Sequence, residues 1–109
     1  MQFLVLGYDG NDEGAMDRRL AVRPDHLALG DELLAAGNLW YAAALTGDGG
    51  KMIGSMYMVD FADRAELEAW MEREPYVTGD VWRRVEIHEC TTRNPWQFNR
   101  PQEFFEQRE

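Results

Sequence analysis

The sequence predicts an α+β domain whose elements follow the order β-α-β-β-α-β. Three observations carry this prediction: short apolar runs bounded by turn residues, two segments with helical spacing, and a glycine-rich stretch between two extended segments. At 109 residues, the chain has the length of one domain. A chain of this length buries roughly two-thirds of its unfolded surface, so a core can form without disulfides.

The first strand and the first helix are predicted from the N-terminal third of the chain. The apolar run at residues 3–6 closes on Gly7-Tyr8-Asp9-Gly10, which is typical of a buried strand followed by a turn. Residues 12–22 favour a helix, and Pro24 predicts either a new helix start or a kink. A helical period continues to Gly37, which predicts the helix end. The expected apolar face contains Leu27, Leu29, Gly30, Leu33, Leu34 and Gly37.

The second and third strands are predicted to form a hairpin. Residues 39–46 form the second strand, and the glycines among residues 47–50 can adopt the positive φ angles of a tight turn. Residues 52–61 form the third strand, in which apolar side chains alternate on both faces. Both faces of the sheet are therefore expected to be covered.

A second helix and a fourth strand complete the order. Asp63 is the predicted N-cap of this helix, with Glu66 completing a capping box, and the helix ends at Glu74-Pro75. Residues 81–90 form the fourth strand, with Trp82 expected among polar side chains on one face. This order is that of the ferredoxin-like split βαβ unit, an antiparallel sheet with both helices on one face.

A second copy of the chain is expected to cover the helix-free face of the sheet. A symmetric homodimer is the commonest way of covering such a face. In this interpretation, residues 1–90 form the domain. Residues 91–109 combine prolines with four aromatic side chains, unlike most disordered segments, and predict an arm that packs on the domain or on the dimer partner.

The composition argues against several classes of partner. Twenty acidic residues oppose 11 basic ones, and the net charge of −9 disfavours nucleic acid. No apolar run approaches the about 20 residues of a membrane span, and residues 1–4 lack the basic flank of a signal peptide. Cys90 is the single cysteine, and a free thiol fits a reducing compartment, so a cytoplasmic location is expected.

Three patterns fall short of known metal or phosphate motifs. The loop that begins at Asp9 has Leu20 at its twelfth position, where a calcium loop needs a bidentate carboxylate. Residues 47–51 lack the spacing of a phosphate loop. His88 and Cys90 share a strand face, but the sequence offers no third ligand. We therefore expect no metal and no cofactor.

His26 and Glu74 are the main candidates for chemistry. His26 lies within the apolar arc of the first helix, and histidine, with an ordinary pKa of about 6.5, suits general acid–base work. The alternative is a structural histidine that donates to a backbone carbonyl. Glu74 ends the second helix, where the helix dipole disfavours a carboxylate, so another demand could explain it. The alternative is a solvated glutamate.

Arg19, Arg23 and Ser55 are weaker candidates. The two arginines lie four residues apart on one helix face, which suits a carboxylate ligand or an ion pair with Asp25 or Glu74. Ser55 lies in the third strand, where its hydroxyl could orient a ligand or bond to the neighbouring strand.

Three blocks of the sequence resemble the YCII-like (YCII-related) family. The blocks are residues 19–27, Gly54-Ser55 and residues 74–82, and the resemblance covers about residues 1–90. It implies a ferredoxin-like fold of the dimeric α/β barrel superfamily. The family's presumed active-site pair of histidine and aspartate falls on His26 and Glu74, the latter replacing the aspartate of an Asp-Pro-Tyr motif. A few relatives act on chlorinated or hydroxylated aromatic catabolites.

The resemblance implies a cofactor-independent enzyme that uses His26 and Glu74 for acid–base chemistry on a small cyclic or aromatic metabolite. Isomerisation, dehydration and dehydrohalogenation fit these groups. The expected substrate-binding residues are Arg19, Arg23, Ser55 and Tyr76. One alternative is a non-catalytic dimer that binds a small molecule or assists an enzyme. Another, a cofactor-free monooxygenase, rests on fold analogy alone.

Overall fold

The predicted fold class is confirmed by a computed structural model, which describes residues 1–106. The four strands form an antiparallel sheet in the order β2-β3-β1-β4. The last three residues of the predicted arm, 107–109, lie outside the described residues. The elements are β1 (Gln2–Asp9), α1 (Ala15–Ala36), β2 (Leu39–Thr46), β3 (Met52–Asp60), α2 (Arg64–Arg73), α3 (Pro75–Thr78), β4 (Trp82–Cys90) and α4 (Gln102–Glu106).

The hydrophobic core lies between one face of the sheet and the helices α1 and α2. Alternate side chains of the central strands point into it, as the two-residue period of a strand requires. Among the described residues, no helix combines the length and the apolar character needed to cross a membrane. The core includes Phe3, Val5, Leu29, Leu33, Tyr57, Val59, Leu67 and Trp70.

Helix α1 differs from its prediction in its buried face. It is one helix of 22 residues that contains Pro24, so no new helix starts there. Leu27 and Leu34 of the predicted apolar face are exposed, at 46% and 59%. Polar side chains occupy two positions of the buried stripe, which explains why apolar spacing placed the face incorrectly. The buried residues are Ala15, Arg19, His26, Leu29 and Leu33.

Strand β1 continues to Asp9, so Gly7 is not in the turn that the sequence predicts. A Cβ atom on Gly7 would lie 2.3 Å from the Trp82 ring. The glycine is therefore needed for the close approach of the indole to the strand, a role that glycine fills because it has no side chain.

A register shift between β1 and β4 reverses the face expected for Trp82. The pairing shifts between Tyr8 and Asp9, and the resulting irregularity turns Trp82 toward the helices, where it is 6% exposed. The strict alternation of side chains in an undistorted strand had predicted another face. That face carries three polar side chains, Arg84, Glu86 and His88.

The predicted hairpin and the N-cap of α2 are confirmed. Gly49 and Gly50 adopt φ angles of 71° and 76° in the turn between β2 and β3. Asp63 accepts a hydrogen bond of 2.9 Å from the backbone N–H of Glu66. The Glu66 carboxylate accepts instead from the backbone N–H of Ala62, at 3.0 Å, one residue before the cap.

The arm lies against the helix-free face of the sheet. The rings of Trp40 and Trp96 are 5.8 Å apart, and the backbone N–H of Thr92 donates to Gln2. A largely apolar cavity of about 300 Å³ separates the arm from side chains of the sheet that include Tyr41 and Met58. The boundary at residue 90 stays a prediction. The arm exposes Trp96, Phe98, Phe104 and Phe105.

Candidate functional site

A polar cluster lies within the otherwise apolar layer between the sheet and α1. Its members, Arg19, His26, Ser55 and Glu74, are between 1% and 7% exposed. Polar side chains at such depth cost free energy unless they have hydrogen-bond partners. A cleft of about 190 Å³ opens beside the cluster, between α1, β2 and β3. The polar and aromatic residues that line it are Arg19, Arg23, His26, Ser55, Tyr57 and Tyr76.

The structure brings the predicted pair His26 and Glu74 into contact. Nδ1 of His26 and Oε1 of Glu74 are hydrogen-bonded, although 48 residues separate them in the chain. Glu74 is also the N-cap of α3, since the same oxygen accepts from the backbone N–H of Tyr76 at 3.1 Å. The sequence predicts Glu74 only as the end of α2, where the helix dipole disfavours a carboxylate. As the N-cap of α3, the carboxylate instead accepts a favourable local hydrogen bond.

Tyr57 occupies the other side of the imidazole, and it is not among the residues predicted from the sequence. Its hydroxyl lies 2.6 Å from Nε2 of His26. Burial, with the nearby charge of Glu74, raises the pKa of Tyr57 well above its usual range, so the phenol stays neutral. A tyrosine in an apolar strand resembles any core residue. Its position two residues after Ser55, on the same strand face, was the available signal.

Aromatic rings hold the imidazole of His26 in one orientation. The ring of Tyr76 stacks on it with centroids 3.6 Å apart, and Trp82 meets it edge-on at 6.3 Å. The Arg19 guanidinium lies over the ring of Tyr76, 4.7 Å from its centroid. Burial raises the pKa of Tyr76, although the charge of Arg19 acts in the opposite direction.

Arg19 is held by an internal network rather than by either ion-pair partner considered from the sequence. Its Nη1 donates to both carboxylate oxygens of Asp9, at 2.9 Å each. Nη2 lies 3.3 Å from the carbonyl oxygen of Gly54 and 3.2 Å from the hydroxyl of Ser55. The indole N–H of Trp82 donates to the same hydroxyl at 3.3 Å. Ser55 thus connects the arginine to the aromatic wall.

The two predicted arginines have different environments. Arg19 is 3% exposed, and its Nε is buried with no hydrogen-bond partner among residues 1–106. Arg23 is exposed at the rim of the cleft and forms no salt bridge within this part of the chain. Arg19 is therefore fixed within the protein, and Arg23 is the cation available to a ligand.

Among residues 1–106, no group of three or more His, Cys, Asp or Glu side chains is placed to hold a metal ion. His88 lies 3.3 Å from Glu86, and the Cys90 sulfur lies 3.8 Å from the Met58 sulfur. These two residues are thus engaged with neighbours on the sheet.

The chain belongs to the family defined by the YCII-related domain, whose model matches residues 1–91. The predicted family membership is thereby confirmed. Protein YciI of Escherichia coli O6:H1 is 30% identical over 93 residues, which cover 80% of this chain and 93% of that protein. Protein YciI of Shigella flexneri matches with the same identity and coverage.

Two solved structures share the fold. The 5-chloro-2-hydroxyhydroquinone dehydrochlorinase TftG of Burkholderia phenoliruptrix, in complex with 2,5-dihydroxybenzoquinone, aligns with a TM-score of 0.74 at 20% identity. The alignment covers 84% of this chain and 94% of TftG. A dimeric ferredoxin-like protein of unknown function from Jannaschia aligns with a TM-score of 0.52 at 15% identity, over 84% of this chain and 98% of that one. The predicted ferredoxin-like fold is confirmed.

Proposed function

We propose that this protein uses His26 and Glu74 for acid–base chemistry on a small cyclic or aromatic metabolite bound in the cleft. The single observation that carries the proposal is a histidine beside a cleft with a buried carboxylate on its Nδ1. A carboxylate in this position fixes the tautomer of the ring and stabilises the imidazolium that forms when the ring accepts a proton. The reaction types that fit are isomerisation and elimination, including dehydrochlorination.

The cleft favours a flat ligand with one acidic group. Tyr57 and Tyr76 supply aromatic edges, and Arg23 supplies an unpaired cation at the rim. A guanidinium binds a carboxylate or phenolate with two parallel hydrogen bonds. Ser55 and Tyr76 would orient such a ligand, whereas Arg19 would act mainly by holding Ser55 in place.

The TftG complex supplies probes for this proposal. We expect the wild-type protein to bind 2,5-dihydroxybenzoquinone, measured by calorimetry, and to release chloride from 5-chloro-2-hydroxyhydroquinone. The variant His26→Gln should lower the rate of chloride release at least about 100-fold, as expected for a lost general acid–base group. Its matched control is His88→Gln, because His88 is an exposed histidine on β4 outside the cleft.

Two results would contradict the proposal. One is a wild-type protein that neither binds the quinone nor releases chloride. The other is a His26→Gln protein, folded by circular dichroism, that retains the wild-type rate.

A second candidate is a non-catalytic protein that binds a small molecule. The observation that favours it is the pairing of both ring nitrogens of His26, by Glu74 and by Tyr57, which leaves neither nitrogen free for a ligand. In that case, 2,5-dihydroxybenzoquinone should bind with no turnover of any related compound, and His26→Ala should change its affinity by only a few-fold.

We also propose that the protein is a homodimer formed through the helix-free face of the sheet. Leu4, Leu6, Met56 and Met58 of the central strands lie on that face and are only partly buried in one chain. The arm leaves these side chains partly exposed, and packing two such faces together would remove them from water. The dimeric state of the Jannaschia protein supports the proposal.

Analytical ultracentrifugation tests the homodimer. The wild-type protein should sediment at twice the mass of one chain, and Leu6→Glu should shift it to the monomer because it buries a charge in the interface. Leu34→Glu is the control, since Leu34 is exposed on α1, on the opposite side of the sheet. A monomeric wild-type protein, or equal disruption by both variants, would exclude this interface.

We also propose that the protein is located in the cytoplasm. The support is the unpaired thiol of Cys90, which a reducing compartment would preserve. Fractionation of cells that produce the protein should recover it in the cytoplasmic fraction.

A further inference from the structure

The hydrogen bonds around His26 define which atom can reach a ligand. An ionised carboxylate only accepts hydrogen bonds, so the contact with Glu74 places the ring proton of a neutral imidazole on Nδ1. Nε2 is then the acceptor, and the Tyr57 hydroxyl, 2.6 Å away, donates to it. Neither ring nitrogen is left to bond with a molecule in the cleft.

Tyr57 lines the same cleft as His26, and its hydroxyl is the group bonded to Nε2. The ring of Tyr57 makes T-shaped contacts with Trp70 and Trp82, whose centroids are 5.5 Å and 6.1 Å away. Because its proton points to Nε2, the oxygen keeps its lone pairs for another donor. A hydroxyl or acidic C–H group of a ligand is such a donor.

We infer that Tyr57 is the catalytic residue that exchanges a proton with the ligand, and that His26 and Glu74 act behind it as a relay. This inference rests on the proposed function. In the forward step, the ligand transfers its proton to the Tyr57 oxygen while the Tyr57 proton passes to Nε2. The ligand becomes an anion, the tyrosine stays neutral, and the imidazolium is balanced by the Glu74 carboxylate. The reverse step returns the proton.

The environment of Tyr57 supports a coupled transfer of both protons. Burial raises the pKa of Tyr57, so a free tyrosinate is disfavoured in this position. If both protons move together, the phenol never carries a full charge. The competing explanation is that Tyr57 only positions the imidazole, in which case the ligand would bond directly to Nε2 after the hydroxyl moves aside.

A ligand-free measurement tests the arrangement of these groups. Diethyl pyrocarbonate acylates accessible, unprotonated imidazole nitrogens, and mass spectrometry locates the product. In the wild-type protein, His88, whose side chain is 56% exposed, should react while His26 stays protected. In Tyr57→Phe, His26 should react at least about tenfold faster, because Nε2 has lost its partner. Wild-type His26 that reacts as fast as His88, or His26 that stays protected in Tyr57→Phe, would overturn the inference.

Turnover provides the second measurement, with 5-chloro-2-hydroxyhydroquinone as the probe. Tyr57→Phe should lower kcat for chloride release by about 100-fold or more while binding of 2,5-dihydroxybenzoquinone changes only a few-fold. A wild-type rate in this variant would overturn the relay, whereas an inactive wild-type protein would instead count against the proposed function and leave the acylation result to decide the arrangement. Tyr41→Phe is the control, because Tyr41 is 62% exposed on β2.

A fluorinated tyrosine separates a relay from a positioning role. Incorporation of 3-fluorotyrosine at position 57 keeps the ring and the hydroxyl but makes the phenol more acidic. A relay predicts an altered kcat and a curved dependence of kcat on the fraction of deuterium oxide, because two protons move. An unchanged kcat with a linear dependence would assign Tyr57 to positioning and overturn the inference. This variant also serves if Tyr57→Phe does not fold.

Discussion

His26 and Tyr76 lie face to face, with ring centroids 3.6 Å apart and planes within 9° of parallel. Tyr76 follows Glu74 by two residues, and its backbone N–H donates to the carboxylate that contacts His26. One short segment, residues 74–76 at the N-terminus of α3, therefore supplies both the flat wall and the charged partner of the imidazole. This segment thus contributes to the orientation of His26.

The stack predicts different effects for two substitutions of Tyr76. Tyr76→Phe keeps the ring and should cost less than about 1.5 kcal/mol of unfolding free energy. Tyr76→Ala removes a side chain that is 1% exposed and should cost roughly 3–5 kcal/mol, because a cavity remains. Urea denaturation measures both. Equal costs for the two variants would show that the ring does not support the imidazole.

The buried pair of Arg19 and Asp9 should be strongly coupled. Asp9→Ala leaves a guanidinium that is 3% exposed without its counter-charge, which typically costs about 3–5 kcal/mol. The double variant Asp9→Ala/Arg19→Leu should cost less than the sum of the single variants.

The exposed pair of Arg73 and Glu32 is the matched control for this cycle. Both side chains are about 60% exposed, and the coupling between them should be below about 1 kcal/mol. Urea denaturation of the four proteins of each cycle gives the coupling energies. Similar values for the two pairs would contradict the importance of burial.

The surroundings of Gly7 and Gly30 predict opposite effects on stability when each is replaced by alanine. Gly7→Ala places a Cβ atom 2.3 Å from the indole and should cost roughly 3 kcal/mol or more, since the ring is enclosed. Gly30→Ala meets no atom within 4 Å in α1 and should stabilise the protein by about 0.5–1 kcal/mol. Thermal unfolding distinguishes them. A neutral Gly7→Ala would mean that the indole can move away from β1.

The raised pKa of Tyr57 predicts a loss of stability at alkaline pH. Unfolded tyrosine ionises near about pH 10, whereas burial keeps the folded phenol protonated at higher pH. The contribution of Tyr57 is therefore complete below about pH 10 and is lost as the pH rises toward the folded pKa. In Tyr57→Phe, the unfolding free energy should fall less steeply with pH than in the wild-type protein, by up to about 1.4 kcal/mol per pH unit.

Urea denaturation between pH 9 and about pH 11.5 measures these slopes. Tyr41→Phe should follow the wild-type protein, because Tyr41 is exposed and the hydroxyl it loses is solvated. Parallel curves for the wild-type protein and Tyr57→Phe would contradict the predicted protonation of the buried phenol.

Signals between neighbouring residues predicted most of the local structure. The glycines of the β2–β3 turn adopt positive φ angles, and Asp63 caps α2 through the backbone of Glu66, as predicted. Both depend on contacts within a few residues, so the sequence contains all of their determinants. The extra helix α3 was not predicted, because its four residues follow directly from the Glu74 cap and show no period of their own.

Contacts between distant residues explain the predictions that differ from the structure. The buried stripe of α1 contains Arg19 and His26, whose partners Asp9 and Glu74 lie 10 and 48 residues away. Apolar periodicity does not register such positions, because a polar side chain is buried only when a partner from another element satisfies it. Trp82 was placed on another face because a strand pattern does not reveal a shift in register.

The sequence by itself determined the order of the elements, the family of the chain and the selection of His26 and Glu74 as a pair. Only the tertiary structure decided that Tyr57 occupies Nε2, that Asp9 neutralises Arg19 and that Arg23 remains available at the rim. The order and the family depend on spacing along the chain. The partner of a buried polar atom depends on strand register and helix packing, which bring together residues that the sequence keeps apart.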